Sequence, residues 1–382
     1  MRPLGLYIHW PFCARVCPYC DFTVARNRQV DAEAWAHAFE DDLKRLADIA
    51  EPCRLSSIYF GGGTPSLMPL DIAGRIFDVV EQLFGLVENA EITLEANPTD
   101  TEQFSSFRCL GVNRLSLGVQ SFDDDELMFL GRNHDGAAAR QAVDAALRCF
   151  PRVSADLIYA LPEQTIDRWA HALDHAMGLG VQHWSLYQLT IEPRTAFGKA
   201  AARGELVPVT DDRAADFYEL TTQISTAAGL PAYEVSSHAK PGYEAIHNGL
   251  YWDNADWLAV GPGAHGRFGP PTKRLATEGT AKATSYPTMD TVERLSVESL
   301  SLKEHRLEVL ASGLRPLAGL DLARLGSDAE AVAQRARRWV DDGFLILQAN
   351  RLAATMKGRL VLDYLAADLA SFVSGDAAFD AA

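Results

Sequence analysis

Short apolar runs alternate with longer amphipathic stretches through the first half of the chain. Leu4–Trp10, Ser57–Phe60, Glu91–Glu95, Arg114–Val119, Ala155–Tyr159 and His183–Leu189 read as strands. Helical patterns separate most of them. Ala32–Ile49 places Trp35, Phe39, Leu43 and Leu46 on one face. Asp71–Phe84 opens on Asp71, a residue suited to an N-cap. Ala137–Cys149 and Thr165–Met177 follow the same logic. This β/α alternation predicts parallel strands joined by crossover helices. An open doubly wound sheet and a full or partial barrel both satisfy it. No repeat accompanies the alternation.

The pattern changes downstream. From about Pro208 to Phe268 the periodicity weakens and aromatics accumulate. Gly269–Pro287, rich in Pro, Gly and Thr, reads as a linker, taken as residues 269–290 between a first domain (1–268) and a second (291–382). Helical patterns return at Val292–Ala311 and Asp328–Asp341. An apolar pair follows, Phe344–Leu347 and Arg351–Thr355, and a last helix is predicted near Arg359–Leu369. Helices followed by a two-stranded wing predict a winged-helix-like module. DNA binding is not expected of it, because residues 291–382 carry 11 Lys/Arg against 13 Asp/Glu.

Composition narrows the class further. A chain of 382 residues suggests one large domain plus a smaller one, and 48 % hydrophobic residues can fill a sizeable core. Only the Ala/Asp-rich tail after Phe372 is expected to be disordered. The formal net charge of −16 gives no overall attraction for nucleic acid or anionic lipid. No run reaches the roughly 20 apolar residues of a membrane span, and the start lacks a secretory pattern. A cytoplasmic location follows, where cysteines rarely form stable disulfides. Cys53, Cys109 and Cys149 then read as small hydrophobes.

The other three cysteines form the string Cys13-Ala-Arg-Val-Cys17-Pro-Tyr-Cys20. Three close thiolates suit three corners of an iron–sulfur cubane and leave one iron open. A structural zinc site is the alternative, but it wants four ligands, and the nearest fourth candidate is His9. Other strand ends are also chemically loaded. Gly61–Gly63 follow the second strand, Asn97–Pro98 the third, and Gln120–Ser121 the fourth. In β/α barrels the active site forms on that edge.

The C-x3-C-x2-C spacing, with Tyr19 before Cys20, resembles the radical SAM superfamily. That resemblance implies a [4Fe–4S] cluster on Cys13, Cys17 and Cys20. Its open iron would be chelated by S-adenosylmethionine, which one electron cleaves to methionine and a 5′-deoxyadenosyl radical. Gly61-Gly62-Gly63-Thr64-Pro65 resembles the superfamily's loop for the methionine amino group.

More narrowly, Tyr7-Ile-His-Trp-Pro-Phe-Cys13, Phe60-Gly-Gly-Gly-Thr-Pro-Ser66, Leu117-Gly-Val-Gln-Ser121, Leu130-Gly-Arg-Asn-His134 and Asp156-Leu-Ile-Tyr-Ala-Leu-Pro162 resemble the oxygen-independent coproporphyrinogen III oxidase family. By that likeness Tyr7, Gly62, Gly63, Thr64, Glu95, Gln120, Arg132 and Asp156 contact S-adenosylmethionine. The fold implied is a partial (β/α)6 barrel with a C-terminal helical, winged-helix-like domain.

Two features point to the family's haem-chaperone branch. Phe22 stands where the oxidases carry a further Cys, and only twelve residues precede Cys13. His247-Asn-Gly-Leu-Tyr-Trp252 matches that branch's HNxxYW pattern, which makes His247 the expected haem contact, with His238 and His265 as alternatives. Ala160 and Arg194 depart from the family's usual Gly, and Ser237-His238 from its usual Asn-aromatic pair. The branch implies haem as ligand and acceptor haem proteins as partners, membrane-associated respiratory proteins among them. It leaves a homodimer open. An oxidase, or another porphyrin-acting radical enzyme, is the alternative.

Overall fold

The computed structural model describes residues 3–26 and 30–374. The tail from 375 onward, for which disorder is expected, lies outside them. Six parallel strands follow the expected order: β1 (Leu4–Trp10), β2 (Leu55–Gly62), β3 (Leu86–Ala96), β4 (Arg114–Gln120), β5 (Arg152–Tyr159) and β6 (His183–Gln188). Crossover helices join them: α1 (Ala32–Ile49), α2 (Leu70–Leu83), α3 (Phe104–Cys109), α4 (Gly136–Cys149) and α5 (Ile166–Met177). Asp31 caps α1 and Thr165 caps α5 through their side chains. The expectation for Asp71 is corrected. It lies in the first turn of α2, whose N-cap is Pro69.

The sheet continues past both ends of this array. On one side β7 (Ser237–Ala239) pairs antiparallel to β6. On the other, β8 (Asp256–Val260) runs parallel to β1, and β9 (His265–Phe268), β10 (Leu275–Gly279) and β11 (Leu295–Ser299) extend it antiparallel. The order is β11-β10-β9-β8-β1-β2-β3-β4-β5-β6-β7, and β7 is not paired to β11, so the barrel stays open. The stretch expected as a linker thus contains β10. Val292–Ala311, expected as one helix, divides into a short helical turn at Thr291–Arg294, strand β11 and helix α8 (Leu302–Gly313). A buried ion pair explains this. Arg294 Nε donates to Asp42 Oδ1 of α1 at 2.8 Å, and Tyr286 Oη donates to Asp42 Oδ2 at 2.6 Å. These bonds dock the segment against the barrel wall.

Side-chain alternation separates two environments. On β1, Leu4, Leu6, Ile8 and Trp10 are buried against the helices, while Gly5, Tyr7 and His9 face the lumen. On β2, Ile58 and Phe60 face out, while Ser57, Tyr59 and Gly61 face in. Glu91, Glu95, Arg114, Ser116, Asp156, His183 and Tyr187 continue the inward set. The lumen is therefore polar. Its lower part is closed by helix α7 (Ile246–Trp252), which follows helix α6 (Asp211–Ala227) and strand β7 and packs on β1 and β2. Gly5 admits it, because a Cβ there would sit 2.6 Å from Leu250.

The C-terminal module has its own core around Val309, Leu314, Leu325, Val332, Leu352 and Leu365. It comprises α8, α9 (Ala329–Asp341), α10 (Leu362–Ala370) and a three-stranded sheet of β12 (Leu320–Asp321), β13 (Leu345–Gln348) and β14 (Arg351–Ala354). The predicted hairpin is β13–β14. Arg359 Nη2 ties the module to the barrel by donating to the Glu234 carbonyl at 2.8 Å.

Candidate cluster and cofactor site

A cavity of about 430 Å³ opens at the C-terminal ends of β1–β6. Cys13, Cys17 and Cys20 line one wall. Their loop follows β1 and is fixed at several points. Cys20 N donates to Cys17 O at 3.2 Å, Phe197 N to Pro18 O at 3.0 Å, and Ala25 N to Pro11 O at 2.7 Å. None of the three is in a disulfide. Burial pushes the Cys13 thiol up to about 11. Among the described residues, no three His, Cys, Asp or Glu side chains converge as a single-ion site. The thiols instead border a larger space, which suits the corners of a cluster. His9 is not a fourth ligand. Its Nε2 donates to the Thr23 carbonyl at 2.8 Å, and its Nδ1 accepts from Tyr7 Oη at 3.0 Å. Burial lowers the pKa of the ring, opposed by its bond to the Thr23 carbonyl.

The glycine loop is laced to the cysteine loop. Gly63 N donates to Trp10 O at 2.7 Å and Thr64 N to Phe12 O at 2.9 Å. Gly62 sits at φ 112°, where its Cβ would lie 2.6 Å from the His9 ring. A Cβ on Gly63 would meet backbone, 2.7 Å from Pro11 C. Both glycines are therefore required by the approach of β1.

Three charged side chains converge beyond the loop. Glu95 accepts from Tyr59 Oη at 2.8 Å and from Gly62 N at 3.1 Å. Desolvation, opposed by the Tyr59 hydrogen bond and helped by Asp156, raises its carboxyl to about 7. Asp156 is raised to about 6, chiefly by burial. Arg132 Nη1 points at Cys17 Sγ, 3.4 Å away, and Nη2 donates to Asn97 Oδ1 at 2.5 Å and to Gly118 O at 2.9 Å. Gln120 closes β4 in the left-handed region, φ 68°.

The cavity thus gathers Cys13, Cys17, Cys20, Gly62, Gly63, Thr64, Glu95, Gln120, Arg132 and Asp156 from five strand ends. It omits two of the expected residues. Tyr7 lies beneath the loop and holds His9. His247 lies on α7 at the lower end of the lumen, fully buried. Its Nδ1 is 2.8 Å from Ser57 Oγ and its Nε2 2.8 Å from Tyr251 Oη. Neither nitrogen is free for iron, so the residues around His247 do not fit a haem. His238 is also buried, and His265 alone of the three is exposed. Asn97 was expected only as a polar rim residue after the third strand, and Tyr59 was not among the expected site residues. Asn97 bridges Thr64 and Arg132, and Tyr59 aims Glu95. The inward register of Tyr59 beside Ser57 and Gly61 was the available signal.

A half-barrel with three rim cysteines and a glycine loop defines a protein of the radical SAM class. Residues 7–176 match the family model described as the Radical SAM superfamily, and residues 300–361 match the HemN C-terminal domain. Heme chaperone HemW of Mycobacterium tuberculosis is 37 % identical over 95 % of this chain and 93 % of its own length. Heme chaperone HemW of Escherichia coli is 40 % identical over 72 % of this chain and 73 % of its own length. The mitochondrial radical S-adenosyl methionine domain-containing protein 1 of Bos taurus is 34 % identical over 96 % and 87 %. Among solved structures, coproporphyrinogen III oxidase (HemN) from Escherichia coli superposes with a TM-score of 0.80 at 22 % identity, covering 97 % of this chain and 91 % of that one. The chain belongs to the HemW-type haem chaperone family.

Proposed function

We propose that the protein is a haem chaperone that carries a [4Fe–4S] cluster and S-adenosylmethionine. The relationship to proteins named as heme chaperones, along nearly the whole chain, carries this reading. Cys13, Cys17 and Cys20 hold three irons of the cluster. When bound, the cluster supplies an open iron and one electron to S-adenosylmethionine. The protein's own contribution is binding and exclusion. Gly62 and Gly63 let the ligand approach the backbone, Glu95 offers its carboxyl to the ribose or amino group, and Asp156, Gln120 and Thr64 offer polar atoms. Arg132 sets the electrostatics at Cys17. Haem is the cargo, handed to an acceptor haem protein in the cytoplasm. Among the described residues no helix is long and apolar enough to cross a membrane.

The oxidase reading is disfavoured by Phe22. Its side chain is 64 % exposed at the cavity mouth, where the oxidases carry a further thiol. The test is anaerobic reconstitution of the cluster, followed by titration of one sample with haem and with coproporphyrinogen. Stoichiometric haem binding without porphyrinogen turnover is expected. Formation of protoporphyrinogen would replace this reading with the oxidase.

A further inference from the structure

His247 opens the HNxxYW string, yet its ring makes no contact with the cavity or the surface. It is held from three directions inside the lumen. Ser57 Oγ and Tyr251 Oη engage the two ring nitrogens, both at 2.8 Å. Its backbone N–H donates to Glu91 Oε1 at 3.1 Å, which fixes the start of α7 on β3. Gly5 leaves room for the ring, since a Cβ there would lie 3.2 Å from His247 Cε1. Burial and the nearby Arg114 guanidinium push its pKa down to about 3, so the imidazole is neutral.

The ring's fourth neighbour leads to the cavity. The His247 and Tyr59 rings lie 5.2 Å apart at 31°. Tyr59 also packs beside Tyr7, its register neighbour on β1, 6.1 Å away at 27°. Tyr59 is therefore in ring contact with both Tyr7 and His247, and its hydroxyl is directed at Glu95 Oε1, 2.8 Å away. Glu95 in turn lines the cavity and accepts from Gly62 N. This places α7 in mechanical series with the cofactor pocket: helix, imidazole, phenol, carboxylate.

We propose that His247 is a positioning residue for the S-adenosylmethionine pocket, acting through Tyr59 on Glu95, and is not a haem ligand. The role of Ser57 and Tyr251 is to lock the imidazole face against the phenol. The proposal rests on the reading that Glu95 contacts S-adenosylmethionine. It is independent of whether the protein carries haem. It also accounts for the spacing within the string: His247 and Tyr251 are four apart, one helical turn, which lets the hydroxyl reach the ring.

The experiment is a double-mutant cycle on the cluster-reconstituted full chain with His247→Gln, Tyr59→Phe and the pair. S-adenosylmethionine affinity is read from its effect on the spectrum of the reduced cluster, and haem from the Soret band. Tyr59→Phe should weaken S-adenosylmethionine by about tenfold, since a hydrogen bond to a charged group is lost. His247→Gln should weaken it by a smaller factor, and the double variant should be no worse than Tyr59→Phe, because both act on one contact. Tyr251→Phe, a milder change, should move affinity in the same direction. The Soret position and haem stoichiometry should match the parent throughout. Additive losses, unchanged S-adenosylmethionine affinity in a folded His247→Gln protein, or a shifted or depleted Soret band would each overturn the assignment. If the parent binds no haem, the chaperone reading fails while the cycle still decides the role of His247.

Discussion

Glu95 gives the sharpest quantitative expectation. Its carboxyl ionises near 7 instead of near 4.5, because burial disfavours the charge. A ligand that carries a sulfonium cation favours the ionised form. Binding therefore releases a proton whenever the free protein holds Glu95 neutral. For a group at about 7, affinity falls about tenfold from pH 8 to pH 6. Asp156, at about 6, contributes up to about a further factor of two at the lower pH. The sign for fold stability is opposite. A raised carboxyl pKa means the folded chain without ligand binds the proton more tightly than the unfolded chain. The cost of ionising Glu95 grows as pH rises from 4.5 and is complete above about 7. The assay is equilibrium binding of S-adenosylmethionine across this range to the reconstituted parent and to Glu95→Gln. The ligand's own amino group contributes the same slope to both, so the difference between profiles isolates Glu95. Parallel profiles would refute the argument.

Other residues carry expectations of their own. Arg132→Gln removes a cation and an N–H from Cys17 Sγ, so the cluster's midpoint potential should fall by tens of millivolts, read by potentiometric titration followed by EPR. Gly63→Ala drives a Cβ into the Pro11 backbone and should lower iron and sulfide content per chain after reconstitution, with the thermal melt of the apo-protein showing how far the fold is affected. Ala160 occupies φ 59°, a left-handed conformation, where the wider family has Gly. Ala160→Gly should therefore stabilise the fold by about 1 kcal/mol in denaturant titration. Asp42→Ala leaves the Arg294 guanidinium buried without its carboxylate and should destabilise by about 3–5 kcal/mol.

Local pattern and chemistry reached far in this chain. Strand β1 and helix α1 begin and end where periodicity places them, because each buries one continuous apolar face and Asp31 supplies the cap. The cysteine triad and the glycine loop, expected after the first and second strands, do meet on one rim, because parallel strands bring their C-terminal ends together. What the pattern could not reach depended on partners distant in sequence. Residues 269–299 looked like a linker and a helix start. Their strands form because β9 offers a free edge and Asp42, about 250 positions earlier, captures Arg294. Likewise, the HNxxYW string has the composition of a haem contact. Only the open barrel, with Gly5, Ser57 and Glu91 converging from three strands, shows that its histidine is consumed inside the lumen. The sequence by itself determined the elements and the residue types of the rim. The tertiary structure decided which of those residues meet the cavity, because that depends on hydrogen-bond partners that no local window contains.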